Sequence, residues 1–390
     1  MFYNIDVDTL TRLRLLSSDM DWETGEESQP HSHCFNPRHQ DQIVIYQAKI
    51  PGGAPIRLLK SLLSSACERN CYYCPFRAGR DSPRVTFKPH EFAHLFFNLY
   101  QAGVAQGVFL SSGLAGGGIP TQDKLLDAAA ILREKLQFCG YIHLKLMPGA
   151  ELDQVRRAMQ LADRVSINLE APTPQTLAQL APQKNFYDEI LQPLKWVEEI
   201  RQSQPPTTNW QGRWPSTVTQ FVVGAADESD YELLNATEWL QRNLRLARAY
   251  YSPFKPVPNT PLENKTPTNP LRQHRLYQAA FLLRDYHFSL PELNFLPDGN
   301  LPLQSDPKYT WAERNLRHAP VELNTADPQQ LMRIPGIGPK AAQRILNARK
   351  HRRLQELSAL GKLGIQTHRA APFILLDGKR PSTQLTLFSL

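Results

Sequence analysis

The chain has 390 residues, of which 41% are hydrophobic, and a net charge of +7. This composition suffices for a sizeable core and excludes a disordered chain, and 32 prolines without a repeat exclude a collagen-like chain. No segment approaches the roughly 18 consecutive apolar residues of a membrane helix. The N-terminus has acidic residues where a signal peptide has basic ones. We therefore expect a cytoplasmic protein that has no membrane partner.

The first segment, residues 1–41, is predicted to be an extension with little regular structure. Its second half, residues 21–40, is polar and has no aliphatic side chains. His31, His33 and Cys34 lie there as a candidate ligand cluster, although a loop that binds no ligand is the favoured interpretation.

Strands and helices then alternate through residues 42–286. Predicted strands cover 42–50, 55–64, 107–113, 141–147, 164–172, 216–225 and 248–254, and predicted helices cover 90–103, 121–140, 151–162, 193–203, 230–244 and 271–286. Such alternation favours parallel strands joined by helical crossovers. We predict an α/β fold, a partial TIM-like (β/α)6 barrel whose functional residues lie at the carboxyl ends of the strands.

Residues 287–318 are rich in turn-forming residues and are predicted to be a linker that packs on the barrel. A small all-α module over 319–373 and a tail over 374–390 follow. In the module, Asp327 is placed to cap a helix that begins at Pro328, with Gln330 completing a capping box. Residues 335–338, Pro-Gly-Ile-Gly, then predict a tight hairpin before a second helix.

This module is the most basic part of the chain. Between residues 319 and 353 it has seven Lys or Arg and two acidic residues. Gly336 and Gly338 would let the backbone approach a phosphate at a helix N-terminus, and Lys340 and Arg344 would add charge. The pattern predicts nucleic-acid binding that is independent of base sequence. A hairpin that docks a protein is the alternative, and residues 354–365 are a possible degenerate second copy.

Three cysteines, Cys67, Cys71 and Cys74, form a C-x3-C-x2-C motif directly after the second predicted strand. Three thiolates can ligate three irons of a [4Fe-4S] cluster, which leaves the fourth iron to chelate S-adenosylmethionine (SAM). A zinc site, with a fourth ligand from Cys34 or Cys139, and a purely structural cluster are the alternatives.

The segment 58–77, LLKSLLSSACERNCYYCPFR, closely resembles the cluster loop of radical SAM enzymes. Further stretches, among them VFLSSGL, GYIHLKLMPGA, RVSINLEAPT and the PGIG hairpin, resemble the DNA modification/repair radical SAM proteins, which have a helix-hairpin-helix after the barrel. The resemblance spans about residues 43–373. It implies a partial barrel, cleavage of SAM to a 5′-deoxyadenosyl radical, a one-electron donor such as flavodoxin or ferredoxin, and an activity on DNA. An RNA-modifying enzyme and a non-catalytic DNA-binding repair factor are the alternatives.

Candidate contacts for SAM lie at the strand ends. Ser112 and Gly113 follow the third predicted strand, where relatives have a Gly-Gly-Glu-type motif; this chain has no such glutamate, and its Gly116–Gly118 run is the competing candidate. Tyr73 precedes the last cysteine and could stack on adenine or simply pack.

Three further candidates, Ser166, Asn168 and Glu170, alternate along one predicted strand and so share a face. Ribose hydroxyls and the SAM carboxylate are their expected partners, as at similar positions of relatives. Hydrogen bonding inside the barrel is the alternative. Lys145 could meet a carboxylate or phosphate, or face solvent.

Overall fold

The computed structural model describes residues 9–18, 20, 43–49 and 53–381. It divides the chain into two compact units. The first consists of residues up to Glu228 together with Trp239–Asn269, and the second consists of Ser229–Glu238 together with the chain from Pro270 onward. His31, His33 and Cys34 lie outside the described residues.

The first unit is built on one curled sheet of seven strands: β1 (Ile45–Ala48), β2 (Ile56–Leu62), β3 (Gly107–Ser111), β4 (Tyr141–Lys145), β5 (Arg164–Ser166), β6 (Ser216–Val223) and β7 (Arg248–Pro253). Their spatial order is the sequence order. β1 is antiparallel to β2, and β2 to β7 are mutually parallel. This arrangement confirms the predicted partial barrel.

Helices connect the strands: α1 (Thr9–Ser18), α2 (Pro89–Gln101), α3 (Gly118–Ala130), α4 (Leu152–Leu161), α5 (Pro174–Leu180), α6 (Gln192–Ser203) and α7 (Asp230–Leu244). π-helical turns at Ile131–Lys135 and Phe186–Leu191 and a short 3-10 helix at Pro206–Thr208 complete the connections. The sequence patterns predicted neither α1 nor α5. α1 corrects the expectation of an irregular extension, because Leu13 and Leu16 are fully buried and hold this segment in a helix.

β5 is shorter than predicted. It ends at Ser166 rather than continuing to residue 172. Beyond it, Glu170 has φ +68° and forms an isolated bridge with Phe221 of β6. A left-handed residue breaks the extended path of a strand, so the three polar residues of this stretch do not share one continuous strand face.

The second unit contains α8 (Pro270–Asp285), α9 (Pro307–Asn315), α10 (Pro328–Arg333), α11 (Pro339–His351), α12 (Leu357–Lys362) and α13 (Thr367–Ala370). It also has short 3-10 helices at Leu290–Glu292 and Ala371–Phe373 and a parallel pair of two-residue strands, β8 (Val321–Glu322) and β9 (Ile374–Leu375). α9 lies within the segment that we predicted to be a linker. The unit has its own core, to which Leu331, Ile334 and Phe373 contribute.

None of the described helices is long and apolar enough to cross a lipid bilayer.

Candidate functional site

One cavity at the carboxyl ends of the barrel strands brings most of the predicted site residues together. Its lining includes the three cysteines, Cys67, Cys71 and Cys74, together with Tyr73, Ser112, Gly113, Asn168 and Glu170. Ser166 does not belong to this lining. Segments that are far apart in the sequence therefore meet where parallel barrels place their reactive groups.

The cysteines follow β2 in a loop that is largely withdrawn from solvent. Cys71 is buried, and Cys67 and Cys74 are partly buried. Burial raises the pKa of the Cys71 thiol and raises that of Cys74 well above its usual value, and ionisation of a neighbouring cysteine raises both further. The three thiols are thus close enough to repel one another once ionised. A bound metal cluster would stabilise them as thiolates.

Hydrogen bonds tie the cysteine loop to the loop that follows β3. The Glu68 amide donates to the Leu114 carbonyl at 2.7 Å, and the Glu68 carboxylate accepts from the Gly116 amide at 3.1 Å. Gly113 packs directly under the loop, and a Cβ at this position would lie 2.3 Å from the Ala66 carbonyl oxygen. This position therefore requires glycine because of a close backbone approach.

The structure also distinguishes between the two glycine segments that the sequence left as alternative SAM contacts. Ser112 and Gly113 line the cavity, whereas Gly116, Gly117 and Gly118 are not part of its lining. A Cβ on Gly118 would lie 2.2 Å from the Pro148 carbonyl oxygen, so this glycine serves the packing of α3. Ser112 and Gly113 remain the candidate SAM contacts.

Glu170 is the acidic group of the cavity, and a lysine that the sequence analysis missed is its partner. Lys184 Nζ donates to Glu170 Oε1 at 2.8 Å, and both side chains are buried. Burial alone would lower the pKa of Lys184, but the Glu170 carboxylate reverses this effect and raises it. Glu170 Oε2 is buried as well. Lys184 thus fixes one oxygen, and the Tyr73 phenol is a further hydrogen-bonding neighbour of this carboxylate.

Tyr73 lies beside this carboxylate. Burial raises the pKa of Tyr73 well above its usual value, and the charge of Glu170 raises it further. The phenol therefore stays neutral and offers a hydroxyl and an aromatic ring to the cavity.

Asn168 and Lys145 line the cavity as a pair. Lys145 Nζ donates to Asn168 Oδ1 at 2.5 Å, and Lys145 is buried. Its alternative, a solvent-facing lysine, is therefore wrong. Ser166 instead bonds His143, whose Nε2 lies 2.8 Å from the Ser166 hydroxyl oxygen. Ser166 thus follows the alternative of hydrogen bonding within the barrel.

These residues fit a [4Fe-4S] cluster with SAM on three observations. Three thiols share one cavity, a buried carboxylate lines it, and backbone approaches it closely at Gly113. Among the described residues, no group of three His, Cys, Asp or Glu side chains, the three cysteines included, is arranged to hold a metal ion. The cysteines would hold the cluster, and Ser112, Gly113, Asn168 and Glu170 would face SAM.

In the second unit, the predicted helix-hairpin-helix is present in detail. The Asp327 carboxylate accepts from the Gln330 amide at 2.8 Å, which confirms the capping box of α10. Gly336 has φ +83°, and a Cβ there would lie 2.8 Å from the Gln366 carbonyl oxygen. Gly338 is the N-cap of α11, whose first-turn amides have no partner within the helix. Exposed Lys340 lies in that turn.

The basic residues of this module divide into two groups. Arg333 pairs with Glu292, Arg353 pairs with Asp377, and Arg349 donates to two backbone carbonyls, those of residues 323 and 326. By contrast, Lys340, Arg344, Lys350 and Arg352 form no ion pair within the described part of the chain. Only the second group keeps its charge available for a polyanion.

The suspected second copy has the same local design. α12 ends before Gly364, which has φ +70°, and α13 follows within a few residues. The Arg344 guanidinium lies next to Gly364, because a Cβ there would be 3.1 Å from Arg344 Nη1. The two hairpins therefore meet at Arg344.

The curled parallel sheet, with three cysteines after its first parallel strand, defines a partial-barrel enzyme class, and two family models specify it. Residues 61–208 match the radical SAM superfamily, and residues 317–371 match the helix-hairpin-helix motif. Residues 61–208 are thus a radical SAM superfamily domain, and a helix-hairpin-helix motif lies on its C-terminal side. No curated protein matches the sequence.

Several solved structures are similar over part of the chain. The FeFe-hydrogenase maturase HydG from Carboxydothermus hydrogenoformans has 15% identity and a TM-score of 0.45, covering 58% of this chain and 51% of HydG. Methylornithine synthase (PylB) has 14% identity and a TM-score of 0.46, covering 58% and 61%. The radical SAM enzyme coproporphyrinogen III oxidase (HemN) from Escherichia coli has 15% identity and a TM-score of 0.38, covering 58% and 52%. The match thus spans between half and three-fifths of these proteins.

Proposed function

We propose that this protein binds a [4Fe-4S] cluster through Cys67, Cys71 and Cys74 and cleaves SAM in order to modify or repair DNA. The observation that supports the chemistry is the single cavity in which three thiols meet Ser112, Gly113, Asn168 and Glu170. The observation that supports the target is the glycine hairpin beside the unpaired cations of α11.

Cys67, Cys71 and Cys74 would hold the cluster, which would supply the one-electron reduction that breaks the C5′–S bond of SAM into methionine and a 5′-deoxyadenosyl radical. The chain's own residues bind SAM and orient it. Glu170 Oε2 accepts hydrogen bonds from SAM hydroxyl or ammonium groups, while Lys184 fixes the other oxygen. Tyr73 shields the cysteine side of the cavity. A one-electron donor such as flavodoxin or ferredoxin supplies the reducing electron.

The helix-hairpin-helix holds the nucleic acid through its backbone. The amides of Gly338 and Lys340, at the start of α11, face a phosphate, and the Lys340 and Arg344 side chains add charge. Contacts to phosphates do not distinguish base sequences. A base must leave a duplex, or lie in a single strand, to reach a buried cavity.

The cluster assignment is tested by anaerobic reconstitution of the purified chain. Cys71→Ala should lose the iron–sulfur absorbance and the release of 5′-deoxyadenosine from SAM. Cys139→Ser is the matched control, because this exposed cysteine lies outside the cavity. If Cys71→Ala retained both signals, the assignment would be wrong.

The target assignment is tested by binding and by product analysis. Lys340→Glu should weaken binding to DNA and lower the slope of log affinity against log salt by about 1. Lys124→Glu makes the same charge change on an exposed lysine of α3, and it should alter neither the DNA affinity nor the salt dependence. Parallel titrations with RNA, and mass analysis of nucleosides after turnover with DNA and with RNA, identify the polymer. A modified nucleoside from RNA alone would replace DNA by RNA as the target.

A further inference from the structure

A groove in the second unit extends beyond the helix-hairpin-helix motif. Its lining includes the hairpin, the start of α11 and the second hairpin at Gly364. It also includes the last turns of α8 and the residues that follow it, among them Phe281 and Tyr286. The motif matched by the family model starts only at residue 317, so these α8 residues lie outside the motif.

The groove is positively charged. Five Lys or Arg and two Asp line it. Both aspartates are neutralised within the groove, since Asp285 pairs with Arg284 and Asp306 pairs with Arg369. Lys340 and Arg344 are the remaining exposed cations, and they suit a chain of phosphates better than a neutral or acidic partner.

Two aromatic rings also line the groove. Phe281 and Tyr286 are both partly exposed. The Arg284 guanidinium lies 5.0 Å from the centre of the Phe281 ring. The Tyr286 ring is held in place, because its hydroxyl abuts Gly338 and Lys308 Nζ lies 4.6 Å from its centre. Cations interleaved with aromatic rings are the surface on which single-stranded bases stack, whereas a duplex keeps its bases inside.

We propose that this groove binds single-stranded DNA, with phosphates at Lys340 and Arg344 and a base stacked on Phe281 next to Tyr286. This inference rests on the proposed function and adds to it the form of the polymer. An unpaired strand also removes the need to extract a base from a duplex before it reaches the cavity.

The test compares two labelled DNA probes by fluorescence anisotropy, a thymine oligonucleotide and a hairpin duplex with the same number of phosphates. Phe281→Ala in the full chain should weaken binding of the single strand roughly fivefold or more, and binding of the duplex less than about twofold. Phe281→Leu, which keeps an apolar side chain of similar size, should give the same selective loss if alanine disturbs folding. Phe281→Trp should restore single-strand binding.

Two controls assign the loss to base stacking. Trp239→Ala removes an exposed aromatic side chain that does not line the groove and should leave both affinities unchanged. An abasic oligonucleotide should bind wild type and Phe281→Leu equally. Equal losses for single strand and duplex, or no loss for either, would overturn the inference. If Lys340→Glu still weakened both probes, the proposed function would stand; if it weakened neither, nucleic-acid binding by the hairpin would fail as well.

Discussion

Gly113 shows how tightly one residue controls the cysteine loop. Its backbone is not left-handed, so glycine is required there by space and not by conformation. Any side chain must push into the Ala66 carbonyl, one residue before Cys67. The position of Cys67 thus depends on the absence of a Cβ at Gly113, which lies in a different loop.

Gly113→Ala should therefore destabilise the chain by about 1–3 kcal/mol, the usual cost of overpacking, and lower the iron content after reconstitution. Gly361→Ala is the matched control, because a Cβ there meets nothing within 4 Å and alanine favours a helix. Urea denaturation and iron analysis measure both effects. A Gly113→Ala protein with normal stability and iron content would contradict the close approach.

Lys308 is a buried base beneath the hairpin. Its Nζ donates to the Ile337 carbonyl at 2.5 Å, and burial lowers its pKa to about 7. In the unfolded chain the pKa is the ordinary 10.5, so between these values the unfolded state binds more protons. The contribution of Lys308 to stability is thus least favourable below the folded pKa and improves as the pH rises.

Wild type should accordingly gain stability relative to Lys308→Met on going from about pH 7 to about pH 9, by roughly 2 kcal/mol. Urea denaturation of both proteins at each pH measures the difference. A gap that stays constant with pH would mean that Lys308 stays charged in the folded chain throughout this range, as it does in the unfolded chain.

Among the helices, α10 depends most on its cap. It has only six residues, and the Asp327 carboxylate satisfies an amide that the helix leaves open. The adjoining hairpin is positioned by the end of this helix, since the Ile337 amide donates to the Ile334 carbonyl at 3.1 Å.

Asp327→Ala should cost about 1 kcal/mol of stability, whereas Asp327→Asn should cost little because an amide oxygen caps equally well. Thermal unfolding of the two variants compares them directly. Equal losses in both would indicate that the charge, and not the cap, stabilises α10.

The elements that the sequence predicted are those whose signals are local. The cysteine spacing, the Asp327 cap and the Gly336 hairpin each lie within a few residues, and the structure reproduces the cap and the hairpin. Lys184 could not be predicted, because it meets Glu170 only through the path of the chain after β5. α1 was missed for a related reason: its helix is held by burial of Leu13 and Leu16, and that burial depends on the rest of the unit.

For the whole molecule, two units with separate internal contacts imply that the two activities can be lost separately. Cys71→Ala should abolish SAM cleavage and leave DNA affinity within about twofold of wild type, while Lys340→Glu should weaken DNA binding and leave SAM cleavage without DNA unchanged. Each of the two variants is measured in both the SAM-cleavage assay and the DNA-binding assay. Loss of DNA affinity in Cys71→Ala would show that the cluster is required for the nucleic-acid site.

The bonds between the cysteine loop and the neighbouring loop at Gly113 and Gly116 are all made by the polypeptide itself. In zinc fingers the metal must template the fold, but here the two loops are joined by amides and carbonyls that are available as soon as the barrel forms. These bonds favour an order in which the chain folds first and the proposed cluster is loaded afterwards. Oxygen damage to the inorganic cofactor would then leave a chain that can be reloaded instead of one that must be replaced.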